Sequence, residues 1–241
     1  MHAYNANDAV RHFTGGSHIF PCAYVFPVSS FSAAIALAQT FTDMYLGLLT
    51  NIQQRTARSL GQVSHSIIYV MAQALGQEGQ QSGWYRSLQG KPASAQPFLT
   101  SSTRDLVFSW LHRFIVPGSC PNLDAIPLQT TPPLDLVRRS SHVPSSEKVT
   151  LRAPGSVNPC HHRVAYVNGA LVPTVVPVDV VRVVRHGGRV RESIITADFP
   201  LQHNVMHGLT LAAVVRQDEK RFITAEDVSD AAVYGPAVIE V

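Results

Sequence analysis

Between Ser29 and Leu88 the chain contains no proline and only two acidic residues, Asp43 and Glu78. A proline-free run of this length, with apolar residues returning every three or four positions, is compatible with long helices and little else. Phe31, Ala34, Ile35, Ala38, Phe41, Tyr45, Leu48, Leu49 and Ile52 trace one row, and Leu37, Met44 and Leu48 a second beside it. A helix apolar on most faces is expected at the centre of a core. Ser29 or Ser30 can cap its start, and Gln53 to Ser59 is a polar end. A second helix is expected after Ser59, with Val63, Ile67, Val70, Met71, Ala74 and Leu75 as its stripe. The same steps lead on to Glu78, Gln81, Ser82 and Tyr85, so polar groups enter the inward face of its C-terminal half. Gly76, Gly79 and Gly83 lie in this helix. Each glycine costs up to about 1 kcal/mol relative to alanine, which suggests either close approach of a backbone or ligand, or fraying.

The flanking segments read differently. Residues 1–28 form an arm broken at Gly15-Gly16, with Pro21 and Pro27 holding the segment between them extended. A short third helix is expected from Arg104 to Val116, capped within Ser101–Thr103 and stopped by Pro117-Gly118. Residues 119–147 are rich in Pro, Ser and Thr and read as an extended linker. From Lys148 the apolar period becomes two, and KVTLRA, RVAYVNG, LVPTVVPV, DVVRVVR, RVRESII, GLTLAAVVR and PAVIEV are strand candidates. His186-Gly187-Gly188 is the clearest hairpin turn, and Arg182, Arg185, Arg189 and Arg191 around it fit a solvated strand face. The expected fold class is therefore α+β: a helical unit over 29–118 followed by a β-sandwich over 148–241.

Composition bounds the chemistry. Of the 241 residues 45% are hydrophobic and 15% charged, against roughly 25% charged in ordinary soluble domains. Such a chain buries a large core and has apolar surface left for a ligand or a second copy. With net charge +3 and no Lys/Arg cluster interleaved with aromatics, nucleic-acid binding is not expected. No run of about 18 apolar residues is present, so no membrane span is expected either. The N-terminus has no basic segment leading into an apolar one, which as written favours the cytoplasm. The three cysteines include no CxxC pair. Cys22 and Cys120 can pair in an oxidising compartment and stay reduced in the cytosol.

Several segments carry a family resemblance. CAYVFPVSSFSAAIALAQ, Tyr45-Leu46-Gly47, QALGQEGQQSGWYRSLQG, FIVPGSCP and the terminal YGPAVIEV together resemble the fungal ferritin-like proteins of the stress-response and sexual-development type. The resemblance runs from about Cys22 to Val241 and implies a ferritin-like helical half-bundle followed by a C-terminal β-sandwich, in proteins that are often secreted. It also implies four bundle helices, a Glu and a Glu-x-x-His pair in each half, and two irons between them. This chain departs from that pattern. It reads as shortened at its N-terminus, lacking the first helix pair, and the Glu-x-x-His position reads Glu78-Gly79-Gln80-Gln81. One carboxylate and a glutamine do not make a di-iron ligand set, so no metal and no cofactor are expected.

Three readings follow. In the first, Glu78 and Gln81 act as polar catalytic groups on the wall of an apolar pocket, with Tyr45, Gln39, Met71, Trp84 and Tyr85 binding the substrate. That describes a metal-independent cyclase or isomerase, pericyclic steps included, acting on a small apolar metabolite. In the second, the ferritin-like site has decayed and the protein is structural or ligand-binding, with Glu78 a hydrogen-bonded carboxyl. In the third, another segment or chain completes a di-iron site. Two long helices with apolar faces need cover, which predicts a homodimer through them. His203 and His207, Cys160-His161-His162 and the arm histidines His2, His12 and His18 are weak metal or nucleophile signals and read as solvated or structural.

Overall fold

The computed structural model describes residues 2–16, 19–58, 62–121, 123, 126–140, 147–201, 206–217 and 221–241. The proline-free stretch forms two long helices, α2 (Phe31–Ala57) and α3 (Gln62–Leu88), preceded by α1 (His2–Thr14) and followed by α4 (Arg104–His112). Ser30 caps α2: its side chain accepts a hydrogen bond from the Ala33 amide at 3.1 Å. Helices α2 and α3 run antiparallel, as the bonds from Gln53 to the Ile68 carbonyl and from Gln89 to Gln39 require.

The two helices are not equivalent. Helix α2 buries Gln39, Thr42, Met44, Leu46, Gly47, Leu49 and Asn51, residues spread around its circumference. Among the described side chains of α3 only Ser82 and Arg86 are buried, and both are polar. Ile67, Met71, Ala74 and Leu75 are half-buried, whereas Tyr69, Val70 and Trp84 are exposed. The stripe read from the sequence therefore covers one side of α2 and meets nothing comparable on its other side.

The strands are β1 (Asp135–Ser140), β2 (Glu147–Ala153), β3 (His162–Asn168), β4 (Thr174–His186), β5 (Arg189–Phe199), β6 (Leu209–Arg216) and β7 (Ala232–Glu240), with α5 (Ala225–Ala231) between the last two. They form one seven-stranded antiparallel sheet in the order β1-β2-β5-β4-β3-β6-β7, folded until it is nearly barrel-shaped. Strand β4 makes the fold-over possible. Up to Pro177 it pairs with β3, and from Val178 onward with β5. A proline has no amide to give a ladder, which suits the point of transfer. At the open side β7 meets the segment leading into β1, where the Gly235 amide donates to the Pro132 carbonyl at 3.0 Å.

Two cores result. Inside the sheet lie Leu151, Tyr166, Ile195, Phe199, Val214 and Ile239, with the Tyr166 and Phe199 rings edge to face at 5.3 Å. Outside it, Val167, Leu211, Ala213 and Val215 pack against Met44 of α2, Trp110 of α4 and Val228 of α5. Strand β6 serves both cores, which is why its sequence is a continuous apolar run. The arm joins the outer core. Residues 23–25 pair with 114–116, the Cys22–Cys120 disulfide closes that corner, and Phe26 and Phe114 meet Phe41 and Trp110.

Several expectations are revised. Part of the arm is helical, as α1, ended by Gly15 at φ 64°. The third helix stops at His112, because Phe114 to Val116 is taken up in pairing with the arm. The segment read as linker carries β1. LVPTVVPV and DVVRVVR are one strand, and α5, with its Thr224–Asp227 capping box, was not foreseen. The strands make one continuous sheet rather than two separate ones. Gly187 and Gly188 form the expected turn, both with positive φ, and the four flanking arginines are exposed.

The α3 glycines do not mark a close contact. A Cβ at Gly76 or Gly79 would meet nothing within 4 Å. The close approach is on α2, where a Cβ at Gly47 would overlap the Thr100 carbonyl oxygen. Gly47→Ala is therefore expected to destabilise the chain by about 1–3 kcal/mol, as overpacking does. Gly76→Ala and Gly79→Ala should each stabilise it by up to about 1 kcal/mol in urea unfolding.

Candidate functional site

Polar residues lie along the inner faces of α2 and α3, and they divide into two groups. The first stands near the N-terminus of α2 and the C-terminus of α3, against the end of β7. Gln39 is 1% exposed, and its Nε2 donates to Oε1 of Glu240 at 2.6 Å and to Oδ2 of Asp43 at 3.2 Å. The Ser82 hydroxyl donates to Oδ1 of Asp43 at 2.6 Å, and Gln89 Nε2 donates to Gln39 Oε1 at 2.6 Å. Arg86, 5% exposed, donates from Nε to the Pro92 carbonyl at 2.7 Å and pairs with Glu240 at 3.2 Å. Glu240 Oε2 is buried without a hydrogen-bond partner among the described residues.

Burial pushes the Glu240 carboxyl above its ordinary 4.5, and the negative field of Asp43 adds to this. Lys91, Arg86 and the Gln39 hydrogen bond pull it back without cancelling the rise. This cluster fastens the helical hairpin to the sheet. A cavity of about 220 Å³ beside it, lined among others by Asp43, Ser82, Arg86 and Thr100, is too small for more than a few atoms of a ligand.

The second group lies farther along the hairpin. Glu78 is half-buried on α3 and acts electrostatically on Tyr45 of α2. Burial first, and then the Glu78 carboxylate, raise the Tyr45 phenol above its ordinary 10.0, so it keeps its proton at neutral pH. Gln81 and Met71 are half-buried on α3. Tyr85 is half-buried, while Trp84 is 58% exposed and leans on Tyr85 at a ring distance of 5.5 Å.

The sequence-predicted residues thus fall into three places. Glu78 lies near enough to Tyr45 for its charge to act on the phenol, with Gln81 and Met71 on the same helix pair. Gln39 belongs to the Glu240 cluster, and Trp84 faces outward. Asp43, Ser82, Arg86 and Glu240 were missed as a unit. Their signal was two polar pairs at four-residue spacing, Gln39/Asp43 and Ser82/Arg86, inside apolar stripes.

The remaining candidates are scattered. Cys160 is an exposed free thiol, and its backbone amide donates to Asn158 Oδ1. His162 Nδ1 accepts from the Asn158 amide at 3.0 Å, and burial, His161 and Arg216 lower its pKa. His12 and His207 are exposed, while His203, His18 and the side chain of His2 lie outside the described residues. No group of three or more His, Cys, Asp or Glu side chains able to hold a metal occurs among the described residues. No described helix is long and apolar enough to cross a membrane. No protein-family model matches the chain, and no curated protein matches it.

Removing Arg86 takes one of two cations from the half-buried Glu240 and leaves the Pro92 carbonyl without its donor, so Arg86→Ala should cost about 1–3 kcal/mol in urea unfolding. The folded chain holds the Glu240 proton to higher pH than the unfolded chain does. That contribution to stability is complete below the unfolded value and is lost as pH rises through the folded one. Glu240→Gln should remove this decline above 4.5, giving a flatter profile of melting temperature against pH than the wild type.

Proposed function

We propose that this chain is a ferritin-like half-bundle protein, akin to the fungal stress-response type, that performs metal-independent acid–base chemistry on a small apolar metabolite. The observation that supports this reading is that Tyr45 of α2 and Glu78 of α3 are half-buried on facing helices and near enough for the Glu78 charge to act on the phenol. A phenol that keeps its proton beside a carboxylate able to take one forms a donor–acceptor couple for proton relocation. In an isomerisation or cyclisation, Glu78 would accept a proton from a carbon or hydroxyl of the substrate and Tyr45 would donate one elsewhere. Gln81 would orient the polar end, and Met71, Tyr85 and the rim residue Trp84 would hold the apolar body. Gln39 serves instead to seat the hairpin on the sheet, through its bonds to Glu240 and Gln89.

Two irons, as the resemblance implies, do not fit the residues present. Gln81 stands where a histidine would be needed, and the described residues offer no cluster of ligands. The Cys22–Cys120 disulfide favours an oxidising compartment over the cytoplasm.

Mass spectrometry tests the reaction. The wild-type chain, incubated with an extract of apolar metabolites, is expected to convert one component to a product of equal mass and changed retention. Glu78→Ala and Tyr45→Phe should each reduce that conversion by about 100-fold or more, the usual contribution of general acid–base groups. Undiminished conversion by both variants would refute the assignment.

The seam also needs cover. Tyr69, Val70 and Leu88 are exposed on α3, and Phe31 on α2. We propose that a second copy covers them, pairing its hairpin with the first into four helices. Sedimentation at micromolar concentration should give a dimer, and Val70→Glu should dissociate it. A monomeric wild type would refute this.

A further inference from the structure

The far ends of β4 and β5 form a ribbon that stands clear of the other strands. Strand β2 pairs with β5 only from Ser193 onward, and β3 pairs with β4 only up to Pro177. From Val181 to Glu192 the two strands pair only with each other, around the Gly187-Gly188 turn. At about 3.3 Å per residue this ribbon extends roughly 20 Å, with both edges open.

The positive charge of the chain is concentrated on it. Arg182, Arg185, Arg189 and Arg191 are exposed, and no acidic residue occurs from Val180 to Arg191. The net charge is +3, so the chain without these four arginines carries −1. Among the described residues none of the four makes an ion pair or a side-chain hydrogen bond, and Glu192, the next acid, lies 4.0 Å from Arg152 instead. Guarding open strand edges calls for charged side chains, but not for charges of one sign. A run of unbalanced arginines calls for an anionic partner.

Placement narrows the partner. From Arg182 to His186 successive residues of β4 alternate in facing, so Arg182 and Arg185 belong to opposite faces. Arg189 stands opposite His186 and so shares the face of Arg182. A single small anion can meet one or two of these groups, and a flat membrane surface only those of one face. A flexible linear polyanion can pass along the ribbon and meet all four. Guanidinium forks bond carboxylates and sulfates through paired hydrogen bonds. The Cys22–Cys120 disulfide favours an oxidising compartment, away from the cytosol and nucleus and their nucleic acids.

We propose that the β4–β5 ribbon binds a linear acidic polysaccharide, with carboxylate or sulfate groups along its length, through Arg182, Arg185, Arg189 and Arg191. These residues belong to other elements than the Tyr45–Glu78 seam, so the ribbon would hold the protein on a polysaccharide matrix and leave the seam free.

The test is calorimetric titration of the full chain with a heparin-derived decasaccharide, with phosphatidylglycerol vesicles and with single-stranded oligothymidylate. The decasaccharide is expected to bind most tightly, with a log–log salt slope of about −3 for four arginine contacts on a flexible polyanion. An exposed ion pair contributes up to about fivefold, so Arg185→Gln/Arg189→Gln/Arg191→Gln should weaken binding by about 30–100-fold and bring the slope towards about −1. The same three positions changed to lysine keep their charge and should lose less than about tenfold. Arg55→Gln/Arg58→Gln/Arg104→Gln removes equal charge from exposed positions on α2, its C-cap and α4, and should bind like the wild type. Melting temperatures of all the variants should stay near the wild-type value. No binding of the decasaccharide, tighter binding of the vesicles or the oligothymidylate, or equal losses in the two glutamine variants would overturn the proposal.

Discussion

The contact on which the architecture depends is the seating of the helical hairpin on the last strand through Arg86 and Glu240. Apolar packing alone does not hold α3, because neither of its buried described side chains is apolar. Its C-terminal end is fixed by charge and hydrogen bonding instead: Arg86 to Glu240 and Pro92, Ser82 to Asp43, and Gln89 to Gln39. Such an arrangement is specific rather than strong. An ion pair removed from water gains little net free energy, yet it tolerates the loss of neither partner. The rise in the Glu240 pKa shows the same balance from the carboxylate's side, with burial and the Asp43 charge outweighing two cations and an amide.

This seating explains the difference between the two long helices. Helix α2 lies between α3 and the outer face of the sheet, with α4 beside it, and is buried on several sides. Gly47 lets the chain at Thr100 come against its backbone. Helix α3 touches α2 along one side and projects its other side outward. The proposed chemistry sits in the seam between them, at Tyr45 and Glu78, and the proposed dimer would cover the bare side. With α3 anchored at its C-terminal end and bare on its outer side, that side is well suited to accept a partner, since repacking there disturbs neither core.

Much of this was legible in the residues. The proline-free run predicted both long helices, the Ser30 and Thr103 caps marked helix starts, and the Gly187-Gly188 turn marked a hairpin. These are local signals, set by backbone geometry and capping. The missed features are those that depend on distant parts of the chain. Nothing local in YGPAVIEV says that Glu240 meets Arg86, 154 positions away. The two apolar rows of α2 marked it as the central helix, as its burial shows, whereas the single stripe of α3 did not say how little of that helix would be covered. The same holds for β4, whose two halves looked like separate strands because Pro177 interrupts the pattern at the point where pairing passes from β3 to β5. Within the candidate site, Glu78 was legible as a carboxyl on the inward face of the second helix and Tyr45 as a member of the apolar row of the first. The role of Gln39 was not, since its partner Glu240 comes from the far end of the chain.

Native-state hydrogen exchange tests the central claim, that the polar contact at Arg86 and Glu240 seats the hairpin on the sheet. In Arg86→Ala the amides of α3 should lose protection, while those of β3, β5 and β6 keep theirs, because the inner core does not rely on the hairpin. Unchanged α3 protection in the variant, or an equal loss across the inner strands, would contradict this account.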